Sequence, residues 1–288
     1  MRLRPVDLPG DRAGIEDLAR RVENATDLGT LSESQALAIG AGTALGLVIE
    51  GDDGLTAYSG LVRATERGEW AMEMIVETSN PNAVADLVAH SITAVREVGA
   101  TAIRWWVYGQ EPAHLPAQFG FEPERRLLFM ARPIPHEASP DFDSEIEVAA
   151  FRPGLDEEAW LKVNNAAFEG HSENGAWTRK ELEERMATEW FSAAGFRMAW
   201  SGSDLAGFCW TKVHSPEEGE IYVIAIHPSY AGRGLGGQLV LEGMRHLTEV
   251  GCERVFLYTE ADNDRGIALY RRLGFRTERT HQSFRLTP

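Results

Sequence analysis

Cysteine is almost missing from this chain: its 288 residues carry only Cys209 and Cys252. Both sit in apolar surroundings, so two buried thiols are expected rather than a disulfide framework or a catalytic cysteine. Positive charge is also short, with 28 Lys and Arg against 44 Asp and Glu, a net charge of −16. Nucleic-acid affinity rests on clustered Lys and Arg, so this balance argues against a phosphate-backbone partner. No apolar run approaches the ~20 residues needed to cross a bilayer, so no membrane partner is expected. The opening Met1-Arg-Leu-Arg-Pro-Val-Asp lacks the apolar core of a signal peptide, which makes the cytosol the expected compartment. No metal site is read from the sequence, and a monomer is the expected state.

What is present fits a soluble protein of two domains. Hydrophobic residues make up 43% and charged residues 25%, ordinary for a globular chain. The length allows two domains of roughly 100–200 residues each. An internal repeat supports that division. Glu97-Val98-Gly99 recurs as Glu249-Val250-Gly251, and Phe119-Gly120-Phe121 recurs as Leu273-Gly274-Phe275. An apolar strand follows the first marker in each copy, at 103–108 and 255–260, and another follows the second, at 126–131 and 280–285. Between the copies Arg132 to Ser144 holds three prolines and several small or acidic residues, so it reads as a linker. The boundary falls near Pro140, giving domains 1–139 and 140–288.

The second copy reads more clearly. Apolar spacing predicts a helix over 157–168, and Thr178-Arg-Lys-Glu181 is a capping box that opens another. Strands are expected at 196–200, 205–214 and 220–226, then a helix at 236–250, a strand at 255–260, a helix at 263–273 and a last strand. The fold class is therefore α+β (mixed α/β).

The chemistry centres on Val223-Ile-Ala-Ile-His-Pro-Ser-Tyr-Ala-Gly-Arg-Gly-Leu-Gly-Gly237, a strand running through a glycine turn into a helix. Gly232, Gly234 and Gly236 let the backbone approach a ligand closely. The unpaired N–H groups and positive dipole end of the helix suit a pyrophosphate. A Rossmann dinucleotide site is the obvious rival. Against it, the strand lies late in the domain, and no acidic strand end follows the helix in a βαβ repeat.

Together with Asn263-x-x-x-Ile-x-Leu-Tyr-x-x-Leu-Gly-Phe275, this segment resembles the GCN5-related N-acetyltransferase superfamily. The resemblance implies two tandem domains, each a mostly antiparallel twisted sheet flanked by helices, with acetyl-CoA as co-substrate. It places Ile224, Ala225 and Ile226 along the pantetheine. Ala231, Gly232, Arg233, Gly234, Leu235, Gly236 and Gly237 are placed at the phosphates. The helix start Asn263, Asp264, Arg265, Gly266, Ile267 and Ala268 is counted with the same ligand; Asn263 either bonds the pantetheine or caps its own helix. One departure is plain, since the family's usual Gln or Arg at the loop's first position is Ala231.

Further stretches outside the acetyl-CoA motifs, among them Val163 to His171, Trp210 to His214 and Leu257 to Asn263, resemble a tandem branch of that superfamily. The acceptor this implies is the cysteinyl amine of cysteinyl-glucosaminyl-inositol, a cysteinylated amino sugar. Two alternatives stand beside it. One is another amine, such as an aminoglycoside, a polyamine or a protein N-terminus. The other is a non-catalytic acyl-CoA-binding module.

An amine that attacks a thioester must first lose a proton, and the departing thiolate gains from receiving one. Glu220 begins the strand that leads to the loop, and alternation puts Glu220, Tyr222 and Ile224 on one face. Glu220 is accordingly expected as general base, through water. Tyr270 is expected as the acid that protonates the thiolate, as the resemblance implies. The resemblance to the tandem branch implies Glu173, Lys212 and Tyr258 as acceptor contacts, together with Glu220 and, from the first copy, Glu33.

The first copy lacks the loop. It reads Ile75-Val-Glu-Thr-Ser-Asn-Pro-Asn-Ala-Val84 there, without glycine, and Pro81 removes an amide donor. Its counterpart of the Asn263 helix is interrupted by Pro112 and Pro116. This copy is expected to be catalytically silent, with Trp70, Trp105 and Trp106 in its core, while segment 141–288 alone retains some donor binding.

Overall fold

The computed structural model describes residues 2–26, 31–64, 68–77, 81–108, 114–135, 137–170 and 175–287. The chain divides into two compact units, residues 1–127 with 280–288, and residues 128–279.

Unit 1 runs β1 (Arg2–Pro5), α1 (Arg12–Thr26), α2 (Glu33–Ala41), β2 (Leu45–Gly51), β3 (Gly54–Arg63), β4 (Glu69–Val76), α3 (Pro81–Glu97), β5 (Ala102–Val107) and α4 (Leu115–Gln118), then enters β6 (Glu122–Pro133). Its strands β1 to β4 are antiparallel neighbours in sequence order, and β5 joins β4 in parallel. Helix α3 covers one face, where Leu87, Val88, Ile92 and Val95 meet Leu61, Met72, Ile103 and Trp105. Helices α1 and α2 cover the other, through Ile15, Leu18, Val22, Ala38 and Ile39. Trp105 and Trp106 are buried, and Trp70 packs on the α3 side, so the three tryptophans are core as expected.

Unit 2 repeats the order. It takes the end of β6, then β7 (Ile146–Ala150), α5 (Glu157–Ala167), α6 (Arg179–Met186), β8 (Phe196–Ser201), β9 (Asp204–Val213), β10 (Glu218–Ile226), α7 (Leu235–Glu249), β11 (Arg254–Glu260), α8 (Asp264–Arg272) and the start of β12 (Arg276–Leu286). Strands β7 to β10 are antiparallel, and β11 joins β10 in parallel. The capping box is present at Thr178 and Glu181, where each side chain meets the other residue's backbone N–H. Helices α7 and α8 cover one face and α5 and α6 the other. Helix α7 sits close to the sheet because Gly243 has no side chain. A Cβ there would lie 2.7 Å from the Cys209 sulfur and 2.8 Å from Ile221 Cδ1. Both cysteines are free and buried.

The mixed α/β class and the helix-flanked, mostly antiparallel sheets are as expected. The units, however, do not divide at 139/140 as the repeat suggested. Residues 282–286 of β12 pair antiparallel with Val107 to Ile103 of β5, so the last strand of the second copy completes unit 1. Conversely β6, the last strand of the first copy, lies next to β11, and Met130 and Ile134 enter the α7-side core of unit 2. Backbone pairing and apolar burial hold each exchanged strand, and a linker signal in the sequence records neither.

Candidate active site

Strands β10 and β11 pair over three residues only, Glu218 with Arg254, Gly219 with Val255 and Glu220 with Phe256. Both strands continue, β10 to Ile226 and β11 to Glu260, so they part immediately beyond Glu220. On its other edge β10 stays paired with β9 as far as Ile226. A β-bulge between Ile221 and Val223 accompanies the parting. It corrects the expected alternation, because one extra residue slips the side-chain period. Tyr222, Val223 and Ala225 pack on the α5 side, whereas Ile221, Ile224 and Ile226 pack on the α7 side. Ile224 therefore does not share a face with Tyr222.

Beyond β10 a short turn at Pro228–Tyr230 is capped by His227, whose Nδ1 accepts the Ser229 N–H at 3.2 Å. Ala231, Gly232, Arg233 and Gly234 are then exposed, with the Arg233 guanidinium 5.1 Å from the centre of the Tyr230 ring. Gly232 and Gly234 have φ of 81° and 80°, the left-handed region that side chains with a Cβ rarely adopt. Nothing lies within 4 Å of where their Cβ atoms would be. Gly234 caps α7 with no side-chain hydrogen bond to its first-turn amides. Buried Leu235 anchors the helix, and Gly236 and Gly237 approach Leu269 of α8. The open space and uncapped amides fit a pyrophosphate.

Asn263 caps α8. Its Oδ1 accepts the Gly266 N–H at 3.0 Å, and its Nδ2 donates to Thr259 Oγ1 at 3.0 Å. A Cβ on Gly266 would lie 2.4 Å from that Nδ2, which accounts for glycine there. Asp264, Arg265 and Ala268 are exposed and Ile267 is buried. Tyr270 is buried within the α7-side core. Burial, and beside it the Cys209 thiol, push its phenol up to about 12.

Glu220 lies on the other face. It is 7% exposed, and its Oε2 is 2.7 Å from Nε2 of His214. His214 follows β9, its backbone N–H donates to Glu218 O at 2.9 Å, and its ring centre is 5.0 Å from that of Phe256. Lys212, opposite Glu220 in the β9–β10 ladder, holds its ammonium 4.5 Å from the centre of the Trp190 ring and 5.5 Å from that of Tyr222. Arg185 Nε donates to Tyr222 Oη at 3.1 Å. Tyr258 is exposed, edge-on to Phe256 and to Phe129 of β6.

Lys212, Glu220 and Tyr258 thus stand on neighbouring strands of one face. Glu33 opens α2 in unit 1, and Glu173 lies outside the described residues. Sequence reasoning missed His214 and Phe129. The four-residue turn 214–217 between β9 and β10 held the signal for His214, since a tight hairpin returns Glu220 beside it. Phe129 had none, because the exchange of β6 is a tertiary fact.

In unit 1, residues 78–80 of the corresponding loop lie outside the described residues, and α3 starts at Pro81. The counterpart of α8 is α4, four residues long.

Residues 158–275 match the acetyltransferase (GNAT) family. The mycothiol acetyltransferase of Catenulispora acidiphila is 40% identical over 77% of this chain and 74% of its own length. That of Parafrankia sp. is 35% identical over 98% of this chain and 97% of its own. Among solved structures, a GCN5-related N-acetyltransferase from Sphaerobacter thermophilus superposes with a TM-score of 0.78 at 19% identity, covering 99% of this chain and 95% of that one. A tandem GNAT protein from the clavulanic acid biosynthesis pathway gives 0.77 at 14% identity, covering 99% and 98%.

Proposed function

Because the chain belongs to the mycothiol acetyltransferase family of GNAT acetyltransferases, we propose that it moves acetyl from acetyl-CoA to the cysteinyl amine of cysteinyl-glucosaminyl-inositol, giving mycothiol and CoA. The observation that carries the site assignment is the parting of β10 from β11 at Glu220, with the uncapped α7 beyond it. In this reading the pantetheine runs along the free edge of β10 at Ile224 to Ile226. The pyrophosphate meets the amides from Ala231 to Gly237, and the thioester lies where the strands separate.

Glu220 takes the amine proton, directly or through one water. The amine nitrogen attacks the thioester carbonyl carbon, the carbon–sulfur bond breaks, sulfur leaves as a thiolate, and the nitrogen's second proton leaves to water, from which the Tyr270 phenol is restored. Tyr270 remains protonated at neutral pH, because its pKa is pushed up to about 12, and donates a proton to that sulfur. Glu220 and Tyr270 sit on opposite faces of the sheet, so the reacting carbonyl passes between the parted strands to meet both. Lys212, Tyr258 and Glu173 bind the acceptor's hydroxyl and amine groups. Unit 1 is silent towards acetyl-CoA. A small polar acceptor agrees with the acidic chain, which works in the cytosol as a monomer without nucleic-acid or membrane partners.

The test follows CoA thiol release from acetyl-CoA with a panel of amines: cysteinyl-glucosaminyl-inositol, an aminoglycoside, a polyamine and a peptide N-terminus. The expected result is turnover with the cysteinylated sugar at a kcat/KM at least about 10²-fold above the rest. Preference for another amine overturns the acceptor. Acetyl-CoA binding without turnover on any amine overturns the enzyme.

A further inference from the structure

A general base that accepts a proton in every turnover must also release it, and Glu220 is poorly placed to do so alone. Its side chain is 9% exposed, while that of His214 is 35% exposed. The two meet at 2.7 Å through Oε2 and Nε2, leaving the other carboxylate oxygen for the acceptor. The His214 ring is held from two sides, by the Phe256 ring and by Glu220, and the backbone N–H of the same residue is fixed on Glu218 O. A loosely held surface histidine would lack all three restraints.

Building on the role of Glu220 above, we propose that His214 is the positioning and proton-relay partner of Glu220, carrying the acceptor's amine proton from the buried carboxylate to solvent. The ammonium loses one proton to the carboxylate and becomes the amine. The carboxylic acid passes that proton to Nε2 of neutral imidazole. The imidazolium then releases its Nδ1 proton to water, which leaves Nε2–H donating to the restored carboxylate; exchange of the ring proton with water from Nε2 to Nδ1 resets the histidine for the next turnover.

The other ionisable groups around the pair are engaged elsewhere. On β9 Lys212 lies over Trp190 and Tyr222. In the turn Glu217 accepts from Ser215 Oγ, and on β10 Glu218 pairs with Arg254 of β11. Arg254 also pairs with Glu278, and Arg279 of β12 lies 4.4 Å from the Phe129 ring centre. Tyr258 on β11, edge-on to Phe129 and Phe256, is a further titratable neighbour.

The test uses the full-length protein with His214→Gln, which keeps an N–H donor for Glu220 but cannot carry a proton, and His214→Ala. For a relay, kcat at neutral pH falls about 10²-fold in both, the low end for a positioned proton-transfer group, with KM for acetyl-CoA unchanged. The lost rate returns as pH rises and as imidazole is added to His214→Ala. The double variant with Glu220→Gln is no slower than Glu220→Gln alone. Wild-type kcat and pH profile in His214→Gln, with Glu220→Gln impaired, overturn the relay only. Wild-type turnover in Glu220→Gln overturns the role of Glu220 on which the relay rests. Should His214→Ala fail to fold, His214→Gln decides alone.

Discussion

In unit 1 the helix after the parallel strand begins at Pro81, behind a stretch without glycine; in unit 2 it begins behind two left-handed glycines, Gly232 and Gly234. Each unit also buries a glutamate on that strand, and the two are used differently. Glu73, 2% exposed, accepts the Ser32 backbone N–H at 2.7 Å at the start of α2. Glu220 instead faces the histidine of a hairpin at the point where the strands part. The same order of sheet and helices therefore stands with or without the glycine turn. What distinguishes the units is a few backbone conformations and the partner of one carboxylate.

The largest effect expected concerns what counts as a unit. Segment 141–288 omits the β6 residues that pack in unit 2 and carries the β12 residues that belong to unit 1. It is expected to lose cooperative thermal unfolding and acetyl-CoA binding, whereas 128–279 keeps both in calorimetry. A cooperative, acetyl-CoA-binding 141–288 would break the comparison at its root.

The paired glutamates come next. Glu220→Gln should cost roughly 10²–10⁴ in kcat, the usual range for a positioned acid or base, and regain part of it at high pH. Glu73→Gln should leave kcat alone and lower stability by ~1–2 kcal/mol, the scale of a weakened buried hydrogen bond to a charged group. Turnover and melting curves on both variants separate the two roles; a kcat loss in Glu73→Gln would erase the distinction.

Gly234→Val should weaken acetyl-CoA at least tenfold, about 1.4 kcal/mol. A branched residue resists a φ of 80° and fills the open space above the loop. Gly234→Asn, which tolerates that conformation, should recover part of the affinity. Titration of the intact chain should give one acetyl-CoA equivalent; two would restore the symmetry denied here.

Tyr270→Phe should cost less than Glu220→Gln. It also carries a pH signature. The phenol is raised from an ordinary value of ~10 to about 12, so the folded state favours the neutral form. That contribution is complete below the unfolded pKa and fades as pH climbs through 12. Alkaline unfolding between about pH 10 and 12 should be shallower in Tyr270→Phe.

Local signals carried most of the second copy. The capping box, the glycine loop and the Asn263 helix were legible because their reasons lie within a few residues. The bulge was not, since alternation along β10 gives no sign of an extra residue at Ile221–Val223. Nor was the surrounding of Lys212 by Trp190 and Tyr222, which comes from a connection packing back onto the sheet. The strand exchange was hidden for the same reason: β6 and β12 look like the last strand of their own copies, and which partner each takes is decided far along the chain.

That exchange also sets a schedule. β5 is buried along all six residues, yet the strand that pairs with it, from Thr280 onward, is made ~175 residues later, counted from Val107 to Gln282. At a synthesis rate of about 5–20 residues per second the wait is on the order of 10–30 s. Throughout it the nascent first half presents Ile103, Trp105 and Val107 on an unpaired strand edge, the kind of surface that recruits foreign strands. The half of the protein made first is finished last.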